Sequence, residues 1–206
     1  HHGYISRMKA AMIALGFDPE RLEILIAQQI NLLRDGKPFK MSKRRGEFVT
    51  MRDLLDEVGN DAARWYFLMR SPDSHLDFDL DLATEQTPEN PVFYVQYAHA
   101  RICSLFREFG QEFIPKRKPM TATIWEDDEQ EILEKAAIFP ETVSTAARLR
   151  EPHRLTTYLL ELATLFHSYY NRRRFLTEDQ EVTYARLSLA FAVRTIIRNG
   201  LALLGI

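Results

Sequence analysis

Lys40-Met41-Ser42-Lys43-Arg44 sets two ammonium groups, a hydroxyl and a guanidinium on five consecutive residues, with one apolar side chain to pin them down. Lysines act as compact point charges and a hydroxyl can reach a further oxygen. The cluster therefore suits a polyphosphate whose charge is redistributed in a transition state. By composition alone the same run is also an ordinary solvated basic turn, and its surroundings decide between the two. Asp35-Gly36 is a hairpin signal between short apolar segments, and Gly46 follows the charges. The expectation is a loop held at one end of a small β-element and free to close over a ligand.

The elements that must position this loop are mostly helical. A helix over Ser6 to Leu15 and a strand over Leu22 to Ala27 precede the hairpin. After it, Leu54, Leu55 and Val58, then Ala62, Ala63 and Trp65 to Leu68, make helical apolar patches. Gly59-Asn60-Asp61 separates them, with Asn60 or Asp61 as candidate N-cap. The acidic stretch from Ser71 to Asp81 reads as irregular, and Pro88-Glu89-Asn90-Pro91 reads as a linker because proline breaks both helix and ladder. Beyond it the pattern is helical to the end. Leu155, Leu159, Leu162 and Phe166 share one face, as do Leu189, Val193, Ile196 and Leu203 with a small phase shift. Several such helices with short links form a bundle. The fold class expected is mainly α, in two parts: residues 1–87 and an α-helical domain over 88–206.

With 206 residues, 46% of them hydrophobic, the chain can bury a sizeable core. No apolar run approaches the roughly 20 residues of a membrane span, and no charged-then-apolar leader opens the chain. Neither a membrane nor a secretory setting is expected, and a cytoplasmic one is. One cysteine, Cys103, excludes an intrachain disulfide and argues against zinc. The net charge of −2 hides an uneven distribution. Acidic residues crowd between Glu126 and Glu134, whereas Arg148, Arg150, Arg154, Arg172, Arg173 and Arg174 concentrate basic surface later in the chain.

Aromatic and basic residues interleave in two places. Tyr94, Tyr97 and Arg101 fall at i, i+3 and i+7, and Tyr170 and Arg174 at i and i+4 with Asn171 beside them. Single-stranded RNA is read by stacking splayed bases on aromatic rings or guanidinium planes while amides address base edges. Tyr97, Arg101, Tyr170, Asn171 and Arg174 are the candidate RNA contacts, and Tyr94, Tyr158 and Tyr169 are expected in the core. His99, His153 and His167 stand on or near apolar helical faces and read as structural. Asp77, Asp79 and Asp81 alternate like one face of a strand and read as structural too, so no metal site is expected. No glycine-rich phosphate cradle is present.

Lys40-Met41-Ser42-Lys43 resembles the second signature loop of class I aminoacyl-tRNA synthetases, with Arg44 in place of the usual final serine. The opening HHGYISRMKAAMIALGF, with KMSKRRGEFVT, SPDSHLDFDLDLA and NPVFYVQYAHARICSLFRE, is similar to arginyl-tRNA synthetases. The likeness is strongest from His1 to Arg107 and from Leu159 to Ile206. It implies the tail of a Rossmann-type catalytic domain carrying the loop, then a DALR-type anticodon-binding bundle. The first signature motif, His-x-Gly-His, is absent, so the chain reads as the C-terminal part of a longer enzyme. The resemblance implies ATP with Mg2+ as substrate and no tightly bound cofactor, arginine and tRNA(Arg) as partners, and a monomer. Lys40, Ser42 and Lys43 would stabilise the triphosphate, Met41 would anchor the loop, Arg44 would stand beside it, and His1, His2 and Gly3 would lie near the adenosine or arginine pocket. The alternatives are a freestanding RNA-binding helical module and another class I synthetase such as the cysteinyl enzyme, whose zinc site the lone Cys103 disfavours.

Overall fold

The computed structural model describes residues 2–39, 49–110, 113–115 and 125–206. The signature loop from Lys40 to Arg44, with Gly46 and His1, lies outside them. The order of elements is α1 (Gly3–Ala14), a 3-10 turn (Pro19–Arg21), β1 (Ile30–Arg34), β2 (Lys37–Pro38), α2 (Met51–Val58), α3 (Asn60–Leu68), β3 (Leu76–Asp79) and α4 (Leu80–Thr84). Five longer helices follow: α5 (Pro91–Phe109), α6 (Asp127–Ala137), α7 (Phe139–Leu149), α8 (His153–Arg172) and α9 (Gln180–Leu204). The chain is mainly helical, as expected.

Asp35-Gly36 does turn β1 back on β2, with Leu33 opposite Pro38. The larger surprise is β3, which pairs parallel to β1 from Ile30–Leu76 to Leu33–Asp79. The segment read as irregular is thus the third strand, and its alternation sends Leu76 and Phe78 into the core while Asp77 and Asp79 face the other way. Each carboxylate there has a backbone or amide partner. Asp77 accepts from Asn31 Nδ2 at 2.9 Å, Asp79 caps α4 by accepting from the amides of Asp81 and Leu82, and Asp81 accepts from the Asp35 amide at 2.6 Å. The expected strand over Leu22 to Ala27 does not form. Its alternating half-burial is there, yet among the described residues it has no ladder partner; the neighbouring Gln28 amide donates to the Pro72 carbonyl instead.

Helix boundaries follow local chemistry. Thr50 and Asp53 form a reciprocal capping box at α2, amide to carboxylate at 2.9 Å and amide to hydroxyl at 3.1 Å. Gly59, at φ +80°, ends α2 and opens α3, so neither Asn60 nor Asp61 is the cap; Asp61 accepts from Gln96 instead, at 2.8 Å. The expected linker is not loose. Asn90 is buried, and its Nδ2 donates to the carbonyls of Ala83 (3.2 Å) and Glu85 (2.8 Å), tying the start of α5 to the end of α4.

One core runs through both parts. Trp65, Tyr66 and Phe78 join the apolar faces of α5, α6, α8 and α9, with Tyr66 stacked on Phe78 at 4.8 Å. Leu155, Leu159, Leu162 and Phe166 are buried as their spacing predicts. On α9 the phase is off by one after Val193: Ile197 and Leu204 are inside, and Leu203 is 60% exposed. Contrary to the sequence reading, α9 is long and apolar enough to cross a bilayer by length and composition. Here its Leu187, Ala190, Val193 and Ile197 are spent on the bundle core.

Gly200 on α9 touches α8 where a Cβ would lie 2.6 Å from Leu159 Cδ2. Leu159 is itself fully buried and has nowhere to retreat. Gly200→Ala should therefore destabilise the chain, because overpacking costs about 1–3 kcal/mol against roughly 1 kcal/mol recovered in helix propensity. Thermal unfolding checks it, and an unchanged or raised melting temperature would contradict it.

Candidate nucleic-acid interface

Tyr97 and Arg101 stand one turn apart on α5, and Tyr170 and Asn171 sit near the end of α8. The packing of α5 on α8 brings all four together. The Arg101 guanidinium lies 4.8 Å from the Tyr97 ring centroid and 4.7 Å from that of Tyr170, sandwiched between two phenol faces. Its Nη1 donates to Asn171 Oδ1 at 3.1 Å and contacts His167 Nδ1 at 3.3 Å, and Nη2 makes a longer contact to the Tyr97 hydroxyl, 3.4 Å. A guanidinium carries five N–H donors. Nε–H and one Nη2–H therefore keep no acceptor among the described residues, and these two are the donors that a phosphate or a base edge needs.

The cluster walls a groove of about 460 Å³ lined by Gln86, Pro88, Phe93, Tyr94, Tyr97, Arg101, His167 and Asn171. Tyr97 is 44% exposed, its ring parallel to Phe93 at 5.9 Å. Tyr170 is half-buried and leans on Phe166 and Phe175 as well as Arg101. Tyr158 and Tyr169 are buried, with their hydroxyls donating to the Lys135 carbonyl and to Glu129, both at 2.7 Å. Burial pushes the Tyr158 phenol up to about 12, and burial together with the Glu129 hydrogen bond pushes Tyr169 higher still.

His167 and Phe93 belong to the cluster and were missed as site residues. Burial lowers the His167 pKa below the usual imidazole value; its hydrogen bond to the Tyr94 carbonyl opposes that shift, and the Arg101 charge adds to it. A signal was present: His167 is four residues before Asn171 on the face that carries Tyr170.

Arg174 does not share the helical face assigned to it. The helix α8 ends at Arg172, Arg173 is extended, and the Arg174 carbonyl accepts from Arg186 Nη1 at 2.6 Å. Its exposed side chain borders a second groove on the other flank of Tyr170, with Leu105, Glu108 and Phe175. His2 and Gly3 open α1, which packs on the Pro19–Arg21 turn and leaves Tyr4, Ile13 and Leu15 exposed.

The expected basic surface is largely neutralised. Arg172 and Arg173 pair with Asp128, Arg173 also with Glu126, Arg150 with Glu23 and Arg154 with Glu151. The acidic run and the arginines, far apart in sequence, meet where α6 crosses the end of α8. Beneath them Glu129 is buried and accepts from both Tyr169 and Arg186, the latter at 3.1 Å. Of the six arginines, Arg148 and Arg174 have no carboxylate partner among the described residues.

A small sheet with its helices is followed by an α-helical bundle that carries an aromatic–guanidinium groove. Residues 95–206 match the DALR anticodon binding domain. The chain belongs to that family. It is 50% identical to an arginine–tRNA ligase of Desulforamulus reducens and 52% identical to one of Nitrosospira multiformis. In both cases the match takes in all of this chain and, respectively, 37% and 36% of the relative, so the chain spans little more than a third of their length. A Campylobacter jejuni crystal structure assigned as an arginyl tRNA synthetase superposes with a TM-score of 0.87 at 36% identity, covering all of this chain and 44% of that one. These matches favour the ligase reading over a freestanding RNA-binding module or a cysteinyl enzyme.

Proposed function

We propose that the chain holds the anticodon loop of tRNA(Arg) in the groove walled by Tyr97, Arg101 and Asn171, with Tyr170 backing Arg101, and contributes the Lys40–Arg44 loop to the catalytic site of an ATP-dependent arginine–tRNA ligase. The observation that carries the RNA half is the Arg101 guanidinium set between two tyrosine faces, with free N–H donors, on a helical domain of an anticodon-binding family. A splayed base can pack against the exposed edge of the Tyr97 ring, whose faces meet Arg101 and Phe93, while Asn171 Nδ2 and the Arg101 fork address its edge or the adjoining phosphate. Arg174 lies across Tyr170 from this site and serves a neighbouring phosphate.

In the whole enzyme the reaction joins arginine to ATP as an adenylate with loss of pyrophosphate, then esterifies the terminal ribose of the tRNA. The protein's part is to position charge. Lys40 and Lys43 would neutralise the departing pyrophosphate, Ser42 would donate a hydrogen bond to it, Met41 would anchor the loop, and Arg44 would take the place of the usual final serine. His1, His2 and Gly3 would border the adenosine or arginine pocket. ATP enters as its Mg2+ complex, and the enzyme works as a cytoplasmic monomer.

Tyr97→Ala removes a 44% exposed ring together with its contacts to Phe93, His167 and Arg101, whereas Tyr170→Ala strips contacts from the buried Phe166 and Phe175, so the first disturbs the core less. One lost stack should weaken tRNA(Arg) binding by about 1–3 kcal/mol with the fold intact. Its salt dependence should stay unchanged, whereas Arg174→Ala should lower the salt slope by about one unit. Equal affinity of wild type and Tyr97→Ala would remove the groove from RNA recognition.

A further inference from the structure

His167 is 5% exposed, yet it is a polar ring with a partner at each nitrogen. Nδ1 faces Arg101 Nη1 at 3.3 Å, and Nε2 faces the Tyr94 carbonyl at 3.1 Å. A guanidinium only donates and a carbonyl only accepts, so both contacts are hydrogen bonds in one state alone: Nδ1 bare, Nε2 protonated, the ring neutral. Aromatic neighbours close the remaining sides, with Tyr94 at 4.4 Å and Tyr97 at 5.6 Å between ring centroids. We propose that neutral His167 is the positioning residue for Arg101, holding the guanidinium between Tyr97 and Tyr170, and that a proton on Nδ1 releases it. The inference rests on the RNA-binding reading above for its consequence, though not for its geometry.

The physical reason is that the two shorter hydrogen bonds of Arg101 both leave from Nη1, while Nη2 makes only the longer contact to the Tyr97 hydroxyl. Nη1 spends its two N–H groups on His167 and Asn171, and these bonds aim Nε–H and Nη2 outward to the groove. Protonated Nδ1 would turn its own N–H toward that cation, replacing an acceptor by a like charge. Arg101 is the charged group that the ring faces from α5. From α3, Asp61 is held by Gln96, and from α6 and α9 the Glu129–Arg186 pair engages Tyr169, on the opposite side of α8 from His167. Burial and the Arg101 charge both disfavour the imidazolium, in agreement with this arrangement. For a histidine whose folded pKa is lowered, the stabilisation is present above the unfolded value of about 6.5 and is lost as pH falls through the folded pKa. Guanidinium placement, and with it RNA capture, should fade in the same direction.

The test follows imidazole and guanidinium nitrogens by NMR in the 206-residue chain from pH 7.5 down through the His167 midpoint, alongside binding of an arginine-accepting tRNA transcript at constant ionic strength. Arg101 signals should shift with that midpoint, and wild-type affinity should be about halved there and fall further, by up to about tenfold per pH unit, below it. His167→Gln offers an amide oxygen to Arg101 and has no proton to gain. It should bind within about threefold of wild type at pH 7.5 and lose the pH dependence specific to the wild type, while any protonation of the RNA itself appears equally in both. Arg101 signals that ignore the His167 titration, or a His167→Gln chain with the wild-type pH slope, would overturn the proposal. If wild type fails to bind the transcript at pH 7.5, the RNA-binding reading fails, and the coupled NMR titration alone then decides the role of His167.

Discussion

Arg186→Met is expected to cost the chain about 3–5 kcal/mol of stability, because it strands the Glu129 carboxylate in the bundle without a countercharge. Glu129 and Arg186 side chains are 5% and 14% exposed, too little for water to take over. Tyr169 would remain as a hydrogen-bond donor to Glu129 and offset only part of the loss. Since whole domains are stable by only about 5–15 kcal/mol, such a change should be plain in chemical denaturation. Removing both charges, as Glu129→Gln with Arg186→Met, should recover part of the loss, since the neutral amide escapes the desolvation cost of a charge and its oxygen still accepts from the buried Tyr169 hydroxyl. A single mutant within 1 kcal/mol of wild type would mean that the pair is better hydrated than its burial implies.

Lys43→Ala, made in the whole enzyme, is the second large effect. In the proposed role its ammonium would matter most when charge moves onto the leaving pyrophosphate, and losing one such group costs about 2.7–4 kcal/mol of barrier, or roughly 10²–10³ in rate. Adenylate formation should slow by that factor while ground-state ATP binding changes far less. Rapid-quench measurement separates the two, and a defect confined to the ATP dissociation constant would contradict the role given to Lys43.

The helical bundle was legible in the sequence because its signals are local. Leu155 to Phe166 repeats at helical spacing, Asp35-Gly36 is a two-residue turn, and Tyr97, Arg101 and Tyr170 carry their side-chain chemistry wherever they sit. What escaped depends on partners distant in the chain. Leu76 to Asp79 alternates as a strand should, but a parallel ladder needs β1, and nothing local points 46 residues back to it. The arginines of α8 looked free because Asp128 and Glu126 lie more than forty residues upstream. The slip on α9 has another cause: Gly200 allows a close approach to Leu159, and that approach sets the buried face through Ile197 and Leu204. The same dependence on distant partners explains the site. Each aromatic residue was visible, whereas the sandwich exists only once α5 lies on α8.

Arg64 of α3 donates from Nε to the Leu204 carbonyl at 2.8 Å, across 140 residues, and Asn90 ties α4 to α5. A single strand of chain between two bodies is a pivot, whereas two fastenings at separate places make a bracket. Bending at Pro88 to Pro91 would therefore have to break one fastening or the other, so a load on the bundle would be shared with the sheet and its helices, the elements that flank the Lys40–Arg44 segment in the sequence.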